Sequence, residues 1–159
     1  MIEQMTVEQQ INSTMRKAYW DLLSENITPG KIDKEWLIRL HLELQQRLIR
    51  WVRPGRTKSE IEECLDNEIF KQLITNDLFD KEELINLIDF CFTKVGKLQA
   101  PGRDDDLKIS RDKVEKEIYS PEATFSSVLV LFLKEIHGLL DVLDKDMNDF
   151  ITGNTIESF

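Results

Sequence analysis

Apolar residues recur three and four positions apart along almost the whole chain, and that spacing commits the molecule to packed helices wherever it runs unbroken. The breaks are short and local, at TPGK, RPGRT, TNDLFD, APGRDDD and YSPEAT. No repeat, low-complexity tract or Ser/Gly linker divides the sequence into independent parts. The expectation is an all-α, single-domain bundle of about six helices over residues 1–159. With 41% apolar residues in 159, one core suffices to bury roughly 70% of the unfolded surface, with no disulfide or metal needed to hold it.

The first helix, expected from about residue 3, aligns Ile11, Met15, Ala18, Tyr19, Leu22 and Leu23 and ends before Pro29-Gly30. A second begins near Asp33, carries Trp36, Leu37, Leu40, Leu44, Leu48, Trp51 and Val52, and ends at Pro54-Gly55. Thr57 with Glu60 has the T-x-x-E form of a capping box, opening a third helix that buries Ile61, Cys64, Leu65, Ile69 and Leu73. Asp80 with Glu83 repeats the device for a fourth. Its apolar residues Leu84, Leu87, Ile88, Cys91, Phe92, Val95 and Leu98 cover so much of the circumference that it belongs near the centre of the bundle. A shorter charged helix runs from about Asp106 to Tyr119. Ser120-Pro121-Glu122 has the form of a helix start, and the last helix spans about 121–151. Its FSSVLVLFL stretch is β-branched enough for a strand, but the helical period around it decides for helix.

Enzyme chemistry finds no footing in these residues. A di-iron carboxylate bundle needs Glu-x-x-His on facing helices, yet Ile38 and Lys134 stand three residues before His41 and His137. DKDMND places Asp144, Asp146 and Asn148 at alternating positions of a calcium loop. It then has Asp149 where a glycine is required and Thr155 where a bidentate glutamate is required. Both histidines sit in helical apolar patterns rather than loops, so no nucleophilic triad can be assembled, and neither a phosphate-binding P-loop nor a dinucleotide fingerprint occurs. No catalytic residue, cofactor or metal is expected. Cys64 and Cys91 have no paired spacing and read as reduced, largely buried thiols. The N-terminus lacks the basic and apolar regions of a signal peptide, and VLVLFL is far too short to span a membrane, so the expected location is cytoplasmic.

The formal charge of -9 argues against nucleic acid as a partner. Charge is unevenly placed, however. Between Arg39 and Lys58 six basic residues meet one acid, a local excess of +5. Arg47, Arg50 and Arg53 follow at three-residue spacing along the second helix, Trp51 lies among them, and Arg56 and Lys58 come just after. Arginine with tryptophan is the composition enriched where proteins touch. The same residues are equally suited to neutralising the protein's own acidic helices. A protein partner is the first expectation, and weak contact with anionic lipid or a phosphorylated ligand the second. Amphipathic helices near the C-terminus are also able to pair between copies of the chain.

Pro101 disfavours helical geometry at Ala100, so APGRDDD ends the fourth helix, Arg103 stands at that helix's negative end, and Asp104, Asp105 and Asp106 cap the next. The segment therefore reads as a joint between helices. AYWD (Ala18 to Asp21), IEECLD (Ile61 to Asp66), APGRD (Ala100 to Asp104) and DMNDFI (Asp146 to Ile151) occur in an order and spacing that resembles the T-complex protein 11 family, best from 18 to 104, as a short or truncated member. The stretch from Asp105 to about Phe125 is longer than that pattern leads one to expect. The resemblance implies an all-helical, non-enzymatic domain linked to signal transduction, notably modulation of the cyclic-AMP-dependent protein kinase pathway and, in mammals, sperm function. It implies structural importance for Trp20, Asp21, Pro101, Arg103 and Asp104.

Overall fold

Residues 14–15 and 17–22 are helical (α1) and precede a minimal antiparallel pairing of β1 (Ile27–Thr28) with β2 (Lys31–Ile32), Ile27 opposite Ile32 and Thr28 opposite Lys31. The computed structural model describes residues 14–15, 17–22, 25, 27–28 and 31–157. The helix start expected near residue 3, and the stripe positions Ile11 and Leu23, lie outside them. Met15, Ala18, Tyr19 and Leu22, the described members of that stripe, are exposed, and Trp20 packs on the core instead. The face of α1 turned inward is thus the one carrying the largest side chain, which has the most apolar area to bury.

Helix α2 (Lys34–Ile49) is capped by Asp33, whose carboxylate accepts from the Trp36 amide at 3.0 Å. Leu37, Leu40, Leu44 and Leu48 form its buried stripe. The helix stops before Trp51 and Val52, so Arg50 and Arg53 do not lie along it as their spacing suggested. Gly55, at φ 154 and ψ -160, occupies a backbone region open essentially to glycine alone and starts α3 (Arg56–Cys64).

The expected third helix is two helices. Thr57 lies inside α3 and makes no cap, while Asp66 starts α4 (Asn67–Thr75) by accepting from the amides of Glu68 and Ile69 at 2.9 and 3.1 Å. An aspartate able to bind two free amides competes successfully with one more helical turn. The break also shifts the apolar phase: Ile61 and Leu65 are buried, but Phe70 and Ile74 follow them inward, leaving Cys64 and Ile69 exposed and Leu73 half-buried. Helix α4 ends on Asp77 at φ 57, with the Leu78 amide reaching back to the Leu73 carbonyl at 2.8 Å.

Helix α5 (Lys81–Leu98) starts on Asp80, which accepts from the Glu83 amide at 3.0 Å. It buries Leu84, Ile88, Cys91, Phe92 and Val95, but the centre is shared with the last helix. A 3-10 turn (Pro101–Arg103) leads into α6 (Asp104–Ile118), whose first turn is made of Asp104, Asp105 and Asp106. Arg103 occupies the cap position without a side-chain cap bond, so the aspartates complement the positive end of the helix dipole rather than capping it.

Ser120-Pro121-Glu122 forms a turn, closed by the Ala123 amide on the Ser120 carbonyl at 3.1 Å. Helix α7 (Phe125–Glu157) begins four residues later than expected because Thr124 and Ser127 exchange side-chain and backbone hydrogen bonds at 3.0 and 2.9 Å. FSSVLVLFL is helical. From Ser126 to Leu143 this helix is buried against α2, α5 and α6, with Phe132 edge-on to Phe92 at 6.0 Å. Phe92, Phe132, Leu44, Leu48, Ile136 and Leu140 are fully enclosed, each contributing about 1.5–3 kcal/mol by leaving water.

Candidate interaction surfaces

The basic segment turns inward at its strongest members. Arg47 extends from α2 to α7, where its guanidinium meets Asp141 at 2.7 Å and Asp144 at 3.1 Å. It also donates to His137 Nδ1 at 2.8 Å. Trp51 donates its indole N–H to Asp144 at 2.7 Å, and Arg50 lies over the Trp51 ring at 5.0 Å and 3.7 Å from Asp144. Lys58 faces Glu62 along α3 at 3.9 Å. Arg53 and Arg56 are exposed and make no ion pair within 4 Å among the described residues, although the charge of Arg56 is felt by Glu60. Of the two roles open to these residues, pairing with the acids of the last helix is the one seen for Arg47 and Arg50, with Trp51 donating to the same Asp144.

Because a guanidinium only donates, His137 Nδ1 must accept and the proton resides on Nε2. Burial, and next the charge of Arg47, push the His137 pKa down to about 4 against a weaker opposing pull from Asp141. Nε2 is buried and meets no hydrogen-bond partner among the described residues. The Trp20 ring lies 5.8 Å away, and Trp20 and Asp21 line a hollow of about 820 Å³ between α1, α2 and α7.

The joint after α5 is fastened to the same last helix, further along. Arg103 grips Asp146 by two hydrogen bonds, Nε to Oδ2 and Nη2 to Oδ1, both 2.8 Å. That pairing holds the Asp146 pKa below the ordinary carboxylate value. Pro101 and Asp104 are exposed, with Gln99 donating weakly to Asp104 at 3.4 Å. Trp20 and Asp21 are thus not brought beside Pro101 and Arg103, although both groups meet α7. Asp144 and Asp146, which imitate a calcium loop in sequence, are each engaged by an arginine on another part of the chain. Among the described residues, no three His, Cys, Asp or Glu side chains converge as metal ligands.

His41 is structural in its contacts. It stacks on Phe70 at 4.0 Å with an interplanar angle of 6°, and its Nδ1 donates to Asn67 at 2.7 Å. Asn67 donates to Gln45 at 2.8 Å, and Gln45 to the Leu65 carbonyl at 3.1 Å, so the chain of bonds satisfies the backbone where α3 breaks. Burial lowers the His41 pKa, with Asn67 and Asp66 working against it.

Beside this network lies a groove that the helical spacing does not announce. It encloses about 320 Å³ between α3, α4 and α5; Leu65, Ile69, Phe70, Leu73, Phe79, Leu87 and Phe90 supply its apolar lining. Glu63, Asp66 and Glu83 also line it, and no lysine or arginine does. The exposed Cys64 stands at its edge. Ile69, which its spacing assigns to the buried stripe, is exposed at this groove.

Fold and surfaces together define an all-α bundle whose last helix is clasped by arginines from α2 and from the turn after α5, and whose α3–α5 face presents an apolar groove. The chain belongs to the T-complex protein 11 family, whose model matches residues 2–151 and so extends well beyond the 18–104 stretch where the resemblance is clearest. No solved structure matches it. Among the described residues, no helix is long and apolar enough to cross a membrane.

Proposed function

We propose that the protein is a non-enzymatic interaction module that holds a protein partner in the α3–α5 groove. The observation that carries this reading is the exposed, apolar Ile69, 56% accessible, at the edge of a cavity lined by Leu73, Phe79, Leu87 and Phe90. The basic surface is a weaker site for the same role, because Arg47, Arg50 and Trp51 already have partners within the chain. A cytoplasmic location and a partner in cyclic-AMP-dependent protein kinase signalling go with the reading through the family resemblance alone.

The test is capture from lysate, followed by a binary binding measurement with the identified and purified partner. Ile69→Asp should abolish both, and the double charge reversal of Arg53 and Arg56 should leave both intact. Loss only with the arginine variant returns the site to the basic face. If the protein instead sediments with anionic vesicles at physiological salt, and that is lost with the arginine variant, the lipid reading replaces this one.

A further inference from the structure

We propose that the occupant of this groove is a basic amphipathic helix of the partner protein, an inference that rests on the interaction-module reading above. Three carboxylates, Glu63, Asp66 and Glu83, line the groove without any lysine or arginine to balance them. His41, also on the lining, does not offset them, since burial lowers its pKa from the ordinary value and so disfavours the charged ring. A segment entering the groove with acids on its flanks would bring like charges together in a partly desolvated place. One with lysines or arginines meets the negative field of these carboxylates with opposite charge, Glu63 and Glu83 being the two not occupied in capping α4. The same carboxylates repel anionic headgroups from this groove.

The walls decide the backbone form of the ligand. All three are helices with their amide groups already bonded internally, so they offer no strand edge on which an extended peptide could add. The visiting segment must satisfy its own amides, which a helix does, presenting apolar residues at i, i+3 or i+4, and i+7 to Ile69, Leu73, Phe79, Leu87 and Phe90. Ile69 then loses its exposure to water, and the flanking cations meet Glu63 on α3 and Glu83 on α5 across the groove.

The probes are two synthetic peptides with leucines at identical helical spacing, one with lysine and one with glutamate at the remaining positions. Binding to the full chain is followed by anisotropy of the labelled peptide at physiological salt. The lysine peptide should bind saturably and the glutamate peptide at least about tenfold more weakly. Ile69→Asp should weaken the lysine peptide about tenfold or more, and Glu63→Lys with Glu83→Lys should invert the preference. All three positions are exposed, and retained helical dichroism confirms the fold. Alkylation of Cys64 with a bulky maleimide gives an independent block without mutation. Equal affinity for both peptides, each sensitive to Ile69→Asp, overturns the charge preference while leaving a docking groove. Binding of neither peptide, or binding indifferent to Ile69→Asp and to Cys64 alkylation, overturns the helix inference. The interaction-module reading itself falls only if capture of the natural partner is also unaffected by Ile69→Asp.

Discussion

Arg103 and Asp146 lie 43 positions apart and meet in a two-bond fork, so the turn after α5 is tied directly to the exposed half of the last helix. The two strings that carry them, APGRD and DMNDFI, are both among those by which the chain resembles its family, and the Arg103–Asp146 contact between them gives that resemblance a physical basis. Neither arginine nor aspartate is buried, so the fork works by geometry: a planar guanidinium accepted on both carboxylate oxygens restrains the direction in which α7 leaves the core.

Arg103→Ala and Asp146→Asn should therefore each lower Tm slightly, and the double variant should fall little further than either, because both remove one interaction. Arg103→Lys should not restore the loss, as an ammonium cannot fork. The pH dependence has a definite sign. Asp146 titrates below its ordinary 3.8 in the folded protein, so its contribution is present above that value and disappears as pH falls through the lower, folded pKa. The difference between wild type and Asp146→Asn should vanish in strong acid. Thermal melts from neutral pH into strong acid, past the folded pKa, measure it, and a difference that stays constant throughout would deny the fork its role.

The two thiols should separate cleanly under a thiol reagent. Cys64 is exposed, whereas Cys91 is fully buried between helices and burial pushes its pKa up. One equivalent of Ellman's reagent should react with the native protein and the second only after denaturant. Prompt reaction of both would mean that α5 opens readily, contrary to its place in the core.

Helical period, the cap at Asp80 and the inward side of α5 were legible in the sequence because each depends on neighbours within a turn or two. The arginine clasp was only half legible. Arg47 was visible as part of a positive segment, but its acids lie 94 and 97 positions away, and no local pattern says which helix it will face. The α3–α5 groove was hidden for a related reason. A continuous stripe through Ile61, Leu65, Ile69 and Leu73 looks better than the true pattern, and only the competition at Asp66 between capping and one more turn redirects burial to Phe70 and Ile74. The start of α7 shows the same competition, with Thr124 and Ser127 outbidding the proline signal at Ser120.

The position of that break can be tested directly. Asp66→Ala removes the acceptor for two amides and should cost about 1 kcal/mol, a fall in Tm of about 2–4 °C, with Asp66→Asn restoring most of it. Thr57→Ala should change little, since Thr57 lies inside α3 and caps nothing, and its effect should stay within about 0.5 kcal/mol. Chemical denaturation of the three variants decides. A larger effect at Thr57 than at Asp66 would restore the single long helix.

Acid sensitivity above the carboxylate range should come from His137. In the unfolded chain its ring takes up a proton below about pH 6.5, but in the folded protein burial and the adjacent Arg47 delay this until about 4. Between those values the unfolded state binds more protons, so the unfolding free energy must fall as pH is lowered, by at most roughly 3 kcal/mol, and this contribution flattens below about pH 4. His41, whose pKa is also lowered by burial, acts with the same sign. His137→Gln keeps an acceptor for Arg47 but cannot titrate. Its stability curve should therefore be shallower than wild type between pH 6.5 and 4, and parallel to it below that range. Urea denaturation at a series of pH values compares the two. Identical slopes throughout would show that burial beside Arg47 does not keep the ring neutral in the folded protein.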